Sequence, residues 1–366
     1  MGVAMDFSGW IPGRIDWQAN EPLLEWVHLG AQPLIDPFYG ETLDGCVRHP
    51  AGMLFRHRTA LEDLPAIAET QPALPMAGFI FHMSRCGSTL LCQMLAGVAQ
   101  NSVISEPAPI DEVLRARVRD HRIAAERCGR WFRALMRILA WRRTAAQERA
   151  FFKFDCWHTL FLPMIRREFP DVPWIFVFRN PLEVVVSHAK RRGAHMIPGV
   201  LEPAMFGWDT SEIARMRPDE YGVRVLGRIC EAALDQLRSD LGPGAALPVD
   251  YRQLPRAIWP ALEAHWKLAF TASQTDQIMA AARLDAKNPV LPFEPDSQEK
   301  RARATPELRE ISHEWLDGPH AQLEALARAR WPAFAPNMGP AKDSGVAPGA
   351  GEELAEREGF EPSKGF

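Results

Sequence analysis

Apolar positions along the chain fall into two regimes. From Gly78 onward, short uninterrupted apolar runs alternate with amphipathic segments; before it, isolated aromatics such as Trp10, Trp17, Trp26 and Phe38 stand among Pro and Gly with little periodicity. The runs Gly78–His82, Val103–Ile104, Phe151–Phe154, Trp174–Phe178 and Ala246–Val249 have the length and continuity of strands buried on both faces. Between them the period changes. Leu90, Leu91, Met94, Leu95 and Val98 make one helical stripe, and Val225, Ile229, Ala233 and Leu237 make another within Tyr221–Leu237. A long basic amphipathic stretch covers about Ile110 to Gln147, and Pro306 to Arg328 reads as a last helix. Strands alternating with helices predict an α/β fold of three layers, a central parallel sheet flanked by helices.

The pattern divides the chain into three parts. Residues 1–74 are expected to form an N-terminal extension packed on the core, and residues 75–331 the α/β domain. Residues 332–366 change character: Pro332, Pro336, Pro340 and Pro348 lie among glycines, followed by an acidic run, and disorder is expected there.

Composition narrows the classes. With 366 residues and 47% apolar content the chain can bury a large core, and a net charge of −4 gives no basic field for nucleic acid. The six cysteines show neither CxxC nor metal-ligand spacing, so they read as reduced thiols of a cytoplasmic protein, and no metal is expected. No basic-then-apolar leader is evident at the start, and no apolar run approaches the ~20 residues that cross a bilayer.

Candidate chemistry concentrates in residues 79–91, Phe-Ile-Phe-His-Met-Ser-Arg-Cys-Gly-Ser-Thr-Leu-Leu. An apolar strand enters a short loop, and a helix follows at once. Amides at such a helix start converge on one point, and the dipole favours negative charge there. Gly87 allows close approach of a ligand, and Arg85 adds a forked cation. The expectation is an anion cradle formed by Arg85, Cys86, Gly87, Ser88, Thr89 and Leu90, which makes the expected fold P-loop-like. The loop departs from G-x-x-x-x-G-K-[ST], however: no glycine stands between His82 and Cys86, and Ser88 takes the place of the lysine that reaches terminal nucleotide phosphates. Cys86 itself reads as a small filler of the loop, and His82 and His158 as satisfied structural histidines.

A second segment, residues 174–192, takes a buried strand to Arg179, then Asn180 as a cap, Pro181 in a first helical turn, and Ser187 about two turns on. Arg179 and Ser187, eight residues apart, suit one phosphate.

With both segments in hand, the chain resembles the sulfotransferases that use 3′-phosphoadenosine-5′-phosphosulfate (PAPS), over roughly residues 76–330. In that family an Arg or Lys, a Gly and two hydroxyl residues cradle the 5′-phosphosulfate, matched here by Arg85, Gly87, Ser88 and Thr89. An R-x-P-x-x-x-x-x-S segment binds the 3′-phosphate, matched by Arg179, Pro181 and Ser187. The loop is closer to the Arg-type of bacterial and Golgi-type enzymes than to the Lys-type of cytosolic ones. Two further segments are similar: Val249–Leu254, with Tyr251 beside the cofactor but Arg252 where an acidic residue is usual, and 296–301, a late loop whose Ser297, Lys300 and Arg301 would reach phosphate.

The resemblance implies transfer of a sulfuryl group from PAPS to a hydroxyl or amine acceptor by in-line displacement, where positioning and charge stabilisation dominate and no metal is required. Arg85 and the amides to Leu90 would face the leaving phosphate, and Lys153 would reach the bridging oxygen. The base lies open between Glu106, first, and Asp155, second. Asp155 stands where cytosolic relatives place a histidine, and it also suits a helix cap. A nucleotide kinase, or a catalytically weak nucleotide-binding protein of the same fold, is the alternative. The acceptor would be met by residues 1–74, the 110–147 helices and the 193–218 loop, where Trp131, Phe132 and Trp141 are either pocket or core; no motif there names it.

Overall fold

The computed structural model describes residues 6–331, apart from 19–20, 31, 50–51, 53–55, 241–245, 289 and 293–295. The expected disordered tail, 332–366, lies outside the described residues.

Each apolar run from Gly78 onward becomes a strand of one five-stranded sheet. The strands are β4 (Met76–His82), β5 (Asn101–Ser105), β6 (Arg149–Lys153), β7 (Trp174–Phe178) and β8 (Ala246–Asp250), in the order β5-β6-β4-β7-β8, with all neighbours parallel. Every residue of β5, β7 and β8 is buried, so helices cover both faces, as the uninterrupted apolar runs require. Aromatic side chains fill the space between layers: Phe81 stacks on Phe154 at 4.6 Å with the rings parallel to within 1°, and Trp174 meets Phe81 edge-on at 5.7 Å. The chain leaves β4 for β5 and β6 on one side and for β7 and β8 on the other. The crevice at the carboxyl end of β4 is therefore the switch point at which open α/β sheets bind ligands.

The extension carries a small antiparallel sheet that its weak periodicity did not announce: β1 (Trp10–Asp16), β2 (Leu23–His28) and β3 (His57–Ala60), in that order, with an irregularity between Pro12 and Ile15. Its isolated aromatics are anchors. Trp26 stacks on Trp141 at 6.2 Å, and Trp17 donates its indole N–H to Glu112.

The long basic stretch is not one helix. It forms Ala108–Arg119 and Ala125–Leu139, broken where Asp120 accepts the N–H of Arg122 and binds its guanidinium. Such a local side-chain turn competes with helix continuation. Trp131, Phe132 and Trp141 are at most 1% exposed and belong to the core. The Tyr221–Leu237 pattern is the helix Pro218–Ser239, and the last helix is Pro306–Arg330.

Candidate active site

A cavity of about 1000 Å³ opens at the carboxyl ends of β4, β6 and β7. Its floor is the loop after β4. Ser84, Arg85 and Gly87 adopt φ of 80°, 50° and 86°, and Glu106, after β5, adopts 54°. Left-handed backbone costs a non-glycine residue roughly 1 kcal/mol or more and survives only where surroundings enforce it. Of the four such non-glycine residues among those described, three line this cavity. Gly87 is obligatory for space as well: a Cβ there would lie 2.7 Å from Tyr251 and 3.0 Å from Leu254.

Past Gly87 the helix Ser88–Ala96 begins, with Ser88, Thr89 and Leu90 buried at the cavity wall. Arg85 is half-buried and donates to the Arg191 carbonyl (3.2 Å), and Ser84 Oγ lies 3.1 Å from His188 Nε2. Cys86 faces the core, donating its thiol to the Val177 carbonyl at 3.1 Å, and burial pushes the thiol up to about 11. It is a filler and no nucleophile.

Arg179 follows β7 directly. Asn180 caps the next helix, Pro181–Lys190, accepting the Glu183 N–H, with Pro181 in the first turn. The Arg179 guanidinium is buried. It donates to Glu183 Oε2 (2.6 Å), Asp296 Oδ1 (2.9 Å) and Ser297 Oγ (3.0 Å) and lies 4.0 Å over the Tyr251 ring. Burial alone would lower its pKa, but Tyr251, Asp296 and Glu183 outweigh that and raise it. Ser187 and Tyr251 line the same cavity as the first loop. Lys300 does too, paired with Asp296 at 2.5 Å. Ser297 and Arg301 stand behind this wall, Ser297 against Arg179 and Arg301 held by Glu183 (2.7 Å). Arg252 ties Asp250 at the end of β8 to Glu324 of the last helix and takes no place in the cavity.

Lys153, the last residue of β6 and only 1% exposed, lines the same cavity. Its ammonium lies 2.8 Å from Glu106 Oε1, donates to Thr89 Oγ1 (3.1 Å) and sits 4.7 Å over the Phe38 ring. Burial works against the charge, yet Glu106 above all holds the Lys153 pKa above its ordinary value. Glu106 lies 3.4 Å from His82 Nε2 as well.

Asp155 also lines the cavity, but it heads the short 3₁₀ turn Cys156–Phe161 in a capping box with His158, to whose Nδ1 its own N–H donates (3.2 Å). Asp111, Asp155 and His158 bring ligand-type atoms within 4.8 Å of one another. That group is a hydrogen-bond network. Asp111 accepts from Trp157 (2.6 Å), His158 Nε2 (3.0 Å) and Arg115 (2.8 Å), which engages both nitrogens of His158.

Several lining residues escaped sequence reasoning. His82, which the sequence reads as a structural histidine, ends β4 beside Glu106 and lines the cavity. His188 follows Ser187 directly, a signal that was available. Phe38, Gly40 and Glu41 come from the extension, and Lys287 from a segment with no motif. The 193–218 loop contributes Gly193, Ala194, His195, Ile197 and Val200, whereas the 110–147 helices contribute no lining residue.

No protein-family model matches the chain, and no curated protein matches it. Among solved structures it is similar to a sulfotransferase domain from the curacin biosynthetic pathway, at 15% identity and a TM-score of 0.39, over 66% of this chain and 98% of that one. It is similar also to sulfotransferase STF9 from Mycobacterium avium, at 12% identity and 0.40, over 70% and 80% of the respective chains. A sulfotransferase from Alicyclobacillus acidocaldarius aligns at 15% identity and 0.39, over 72% of this chain and all of that one. Likenesses this slight carry no argument about this chain; the residues of the cavity do. No helix among the described residues is long and apolar enough to cross a membrane.

Proposed function

We propose that the protein is a sulfotransferase that moves a sulfuryl group from PAPS to a hydroxyl or amine acceptor by in-line displacement. The observation that carries this reading is convergence: the loop 84–90 and the Arg179–Ser187 element, 89 residues apart in sequence, line one cavity together with Lys153 and Glu106. A donor with anionic groups at two ends fits such a pair of seats. A nucleoside triphosphate fits less well, because the loop lacks the Gly-Lys that would meet its terminal phosphates. PAPS, when bound, supplies the sulfuryl group and a stable bisphosphate leaving group.

The residues then take these roles. The amides around Gly87–Leu90 and the Arg85 guanidinium seat the 5′-phosphate, where their dipoles and charge favour the leaving group. Arg179 and Ser187, with Tyr251 and Lys300, seat the 3′-phosphate. Lys153 is a buried cation kept charged by its neighbours, suited to the oxygen on which charge develops. Glu106 takes the acceptor proton, held by a left-handed backbone and by its N–H bond to the Lys153 carbonyl (2.8 Å). Asp155, committed to a cap, is the second candidate. Phe38, Ile197 and Val200 give the acceptor an apolar wall.

Calorimetric titration tests this. Adenosine 3′,5′-bisphosphate should bind and raise the melting temperature, and ATP with Mg²⁺ should do so far less. Arg179→Ala should weaken the bisphosphate at least ~30-fold while leaving 5′-AMP, which lacks the 3′-phosphate, within about threefold. Equal stabilisation by ATP, or equal loss for both ligands, would overturn the reading.

A further inference from the structure

We propose that His82 is a positioning residue for Glu106, giving its carboxylate a neutral hydrogen-bond donor beside the cationic one from Lys153. The inference rests on Glu106 being the base. His82 is the last residue of β4 and 5% exposed. Its Nδ1 accepts the N–H of Ser84 at 3.1 Å, a bond that belongs to the left-handed turn itself. In the neutral ring the proton therefore sits on Nε2. Nε2 lies 3.4 Å from Glu106 Oε1, the oxygen that Lys153 also approaches. The groups facing the ring are Glu106 after β5, Lys153 on β6 and the Phe154 carbonyl. Burial, aided by the Lys153 charge, keeps the imidazole below its ordinary pKa against the pull of Glu106, so the ring can donate without carrying charge, and its buried Nε2 makes no other hydrogen bond among the described residues.

That neutrality has a consequence for the reaction. Lys153 touches both Glu106 and Thr89, on the wall that would seat the donor. A bound anion draws Lys153 away from the carboxylate, which weakens that hold at the moment Glu106 must accept a proton. A second cation in its place would hold it but depress its basicity; a neutral N–H holds it at smaller cost to proton affinity. The 3.4 Å separation is that of a contact able to close when the cavity fills, as catalytic hydrogen bonds commonly do.

The test has two arms. Imidazole ¹⁵N spectra of the full chain with adenosine 3′,5′-bisphosphate, assigned through the signal missing in His82→Gln, should show His82 neutral at pH 7 to 8 with its proton on Nε2. Glu106→Gln should shift that nitrogen. A proton on Nδ1, or no response to Glu106→Gln, overturns the proposal whether or not the protein transfers sulfuryl groups.

In the second arm, release of the bisphosphate from PAPS with water as acceptor is followed against pH. His82→Phe should slow it at least ~10-fold and move the acid limb to higher pH, since losing a donor raises the carboxylate pKa. His82→Gln, which can place an N–H at the same point, should recover most of the rate, and both variants should bind the bisphosphate within about twofold of the parent. Equal losses in the two variants, or an unmoved limb in His82→Phe, overturn the positioning role. A parent that never consumes PAPS overturns the sulfotransferase reading instead, and the spectra still decide the contact.

Discussion

Arg85 and Arg179 each follow a strand of the same sheet and face the same cavity, yet they are held in opposite ways. Arg85 is half-buried on a left-handed backbone, with its guanidinium on a main-chain carbonyl. Arg179 is buried, with two carboxylates, a hydroxyl and an aromatic face around it. The first seat is made by backbone shape, and its guanidinium rests on a main-chain carbonyl that an anion would replace. The second is made by charge already balanced, so an anion arriving there exchanges for one already present. One cavity thus joins a preformed site to a competed one.

Gly87→Ala is expected to break the comparison most severely. The φ of 86° costs a residue with a Cβ about 1 kcal/mol, and the added methyl would press on Tyr251 and Leu254 at 2.7 and 3.0 Å. Tyr251 is also the ring under Arg179, so the damage should spread to both seats. Calorimetry should find the bisphosphate and 5′-AMP both weakened by ~100-fold or more, unlike the selective loss expected of Arg179→Ala. A loss confined to the bisphosphate would mean that the loop is not the 5′ seat.

The same contrast sets what the sequence can reveal. A seat built from backbone writes itself into consecutive residues, and Arg85-Cys86-Gly87-Ser88-Thr89 between an apolar run and a helical stripe was readable as one. The five strands were legible because burial on both faces demands apolar runs, although β5 showed only Val103 and Ile104 between polar residues that are themselves buried. That Arg179 and Ser187 meet at one cavity was legible from their spacing. Their neighbour Asp296 was not, since an ion pair 117 residues apart leaves no local pattern, whereas Glu183, only four residues from Arg179, stood within reach of a local reading. For the same reason, the contacts of His82 with Glu106 and of Phe38 with Lys153 could emerge only once β4, β5 and β6 lay side by side and the extension folded over them. The antiparallel sheet of the extension stayed hidden because Pro12 and Gly13 interrupt β1 and polar residues break the apolar runs of β2 and β3.

A second test separates the seats by pH. The first seat leans on His188, whose Nε2 contacts Ser84 and whose Nδ1 accepts the Gly193 N–H (3.3 Å). Burial first, then His195, Arg85, Lys287 and Lys300, hold His188 well below the ordinary imidazole value. The unfolded chain protonates this histidine as pH falls through 6.5 while the folded chain does not, so its burial removes stability as pH drops below that point. The contribution is about 1.4 kcal/mol per pH unit once the unfolded group is fully charged. His188→Gln should flatten the dependence of unfolding free energy on pH by that amount between pH 6 and 5. The second seat holds no group that titrates there: the Arg179 pKa is raised, and Asp296 lies below the usual carboxylate value, since Lys300 and Arg179 outweigh its burial. Asp296→Asn should therefore leave the slope unchanged, and urea unfolding at several pH values checks both variants.

The smallest expected effect is the most specific to the competed seat. Glu183 is 3% exposed at its side chain and shared with Arg301, so it stays with Arg179 whatever binds. Asp296 is different: its side chain is 43% exposed, and it reaches Arg179 from the start of the short helix Ser297–Ala302. A 3′-phosphate bonding to Arg179 must displace it, and the energy of that ion pair opposes binding. Partly exposed pairs contribute on the order of 1 kcal/mol. Asp296→Asn, which keeps the shape and removes the charge, should therefore tighten the bisphosphate by about 3- to 10-fold and leave 5′-AMP unchanged. The gain should shrink in high salt, because the competing pair is screened there anyway. If Asp296→Asn weakens both ligands alike, the carboxylate holds the wall in place through Lys300, and the second seat is as preformed as the first.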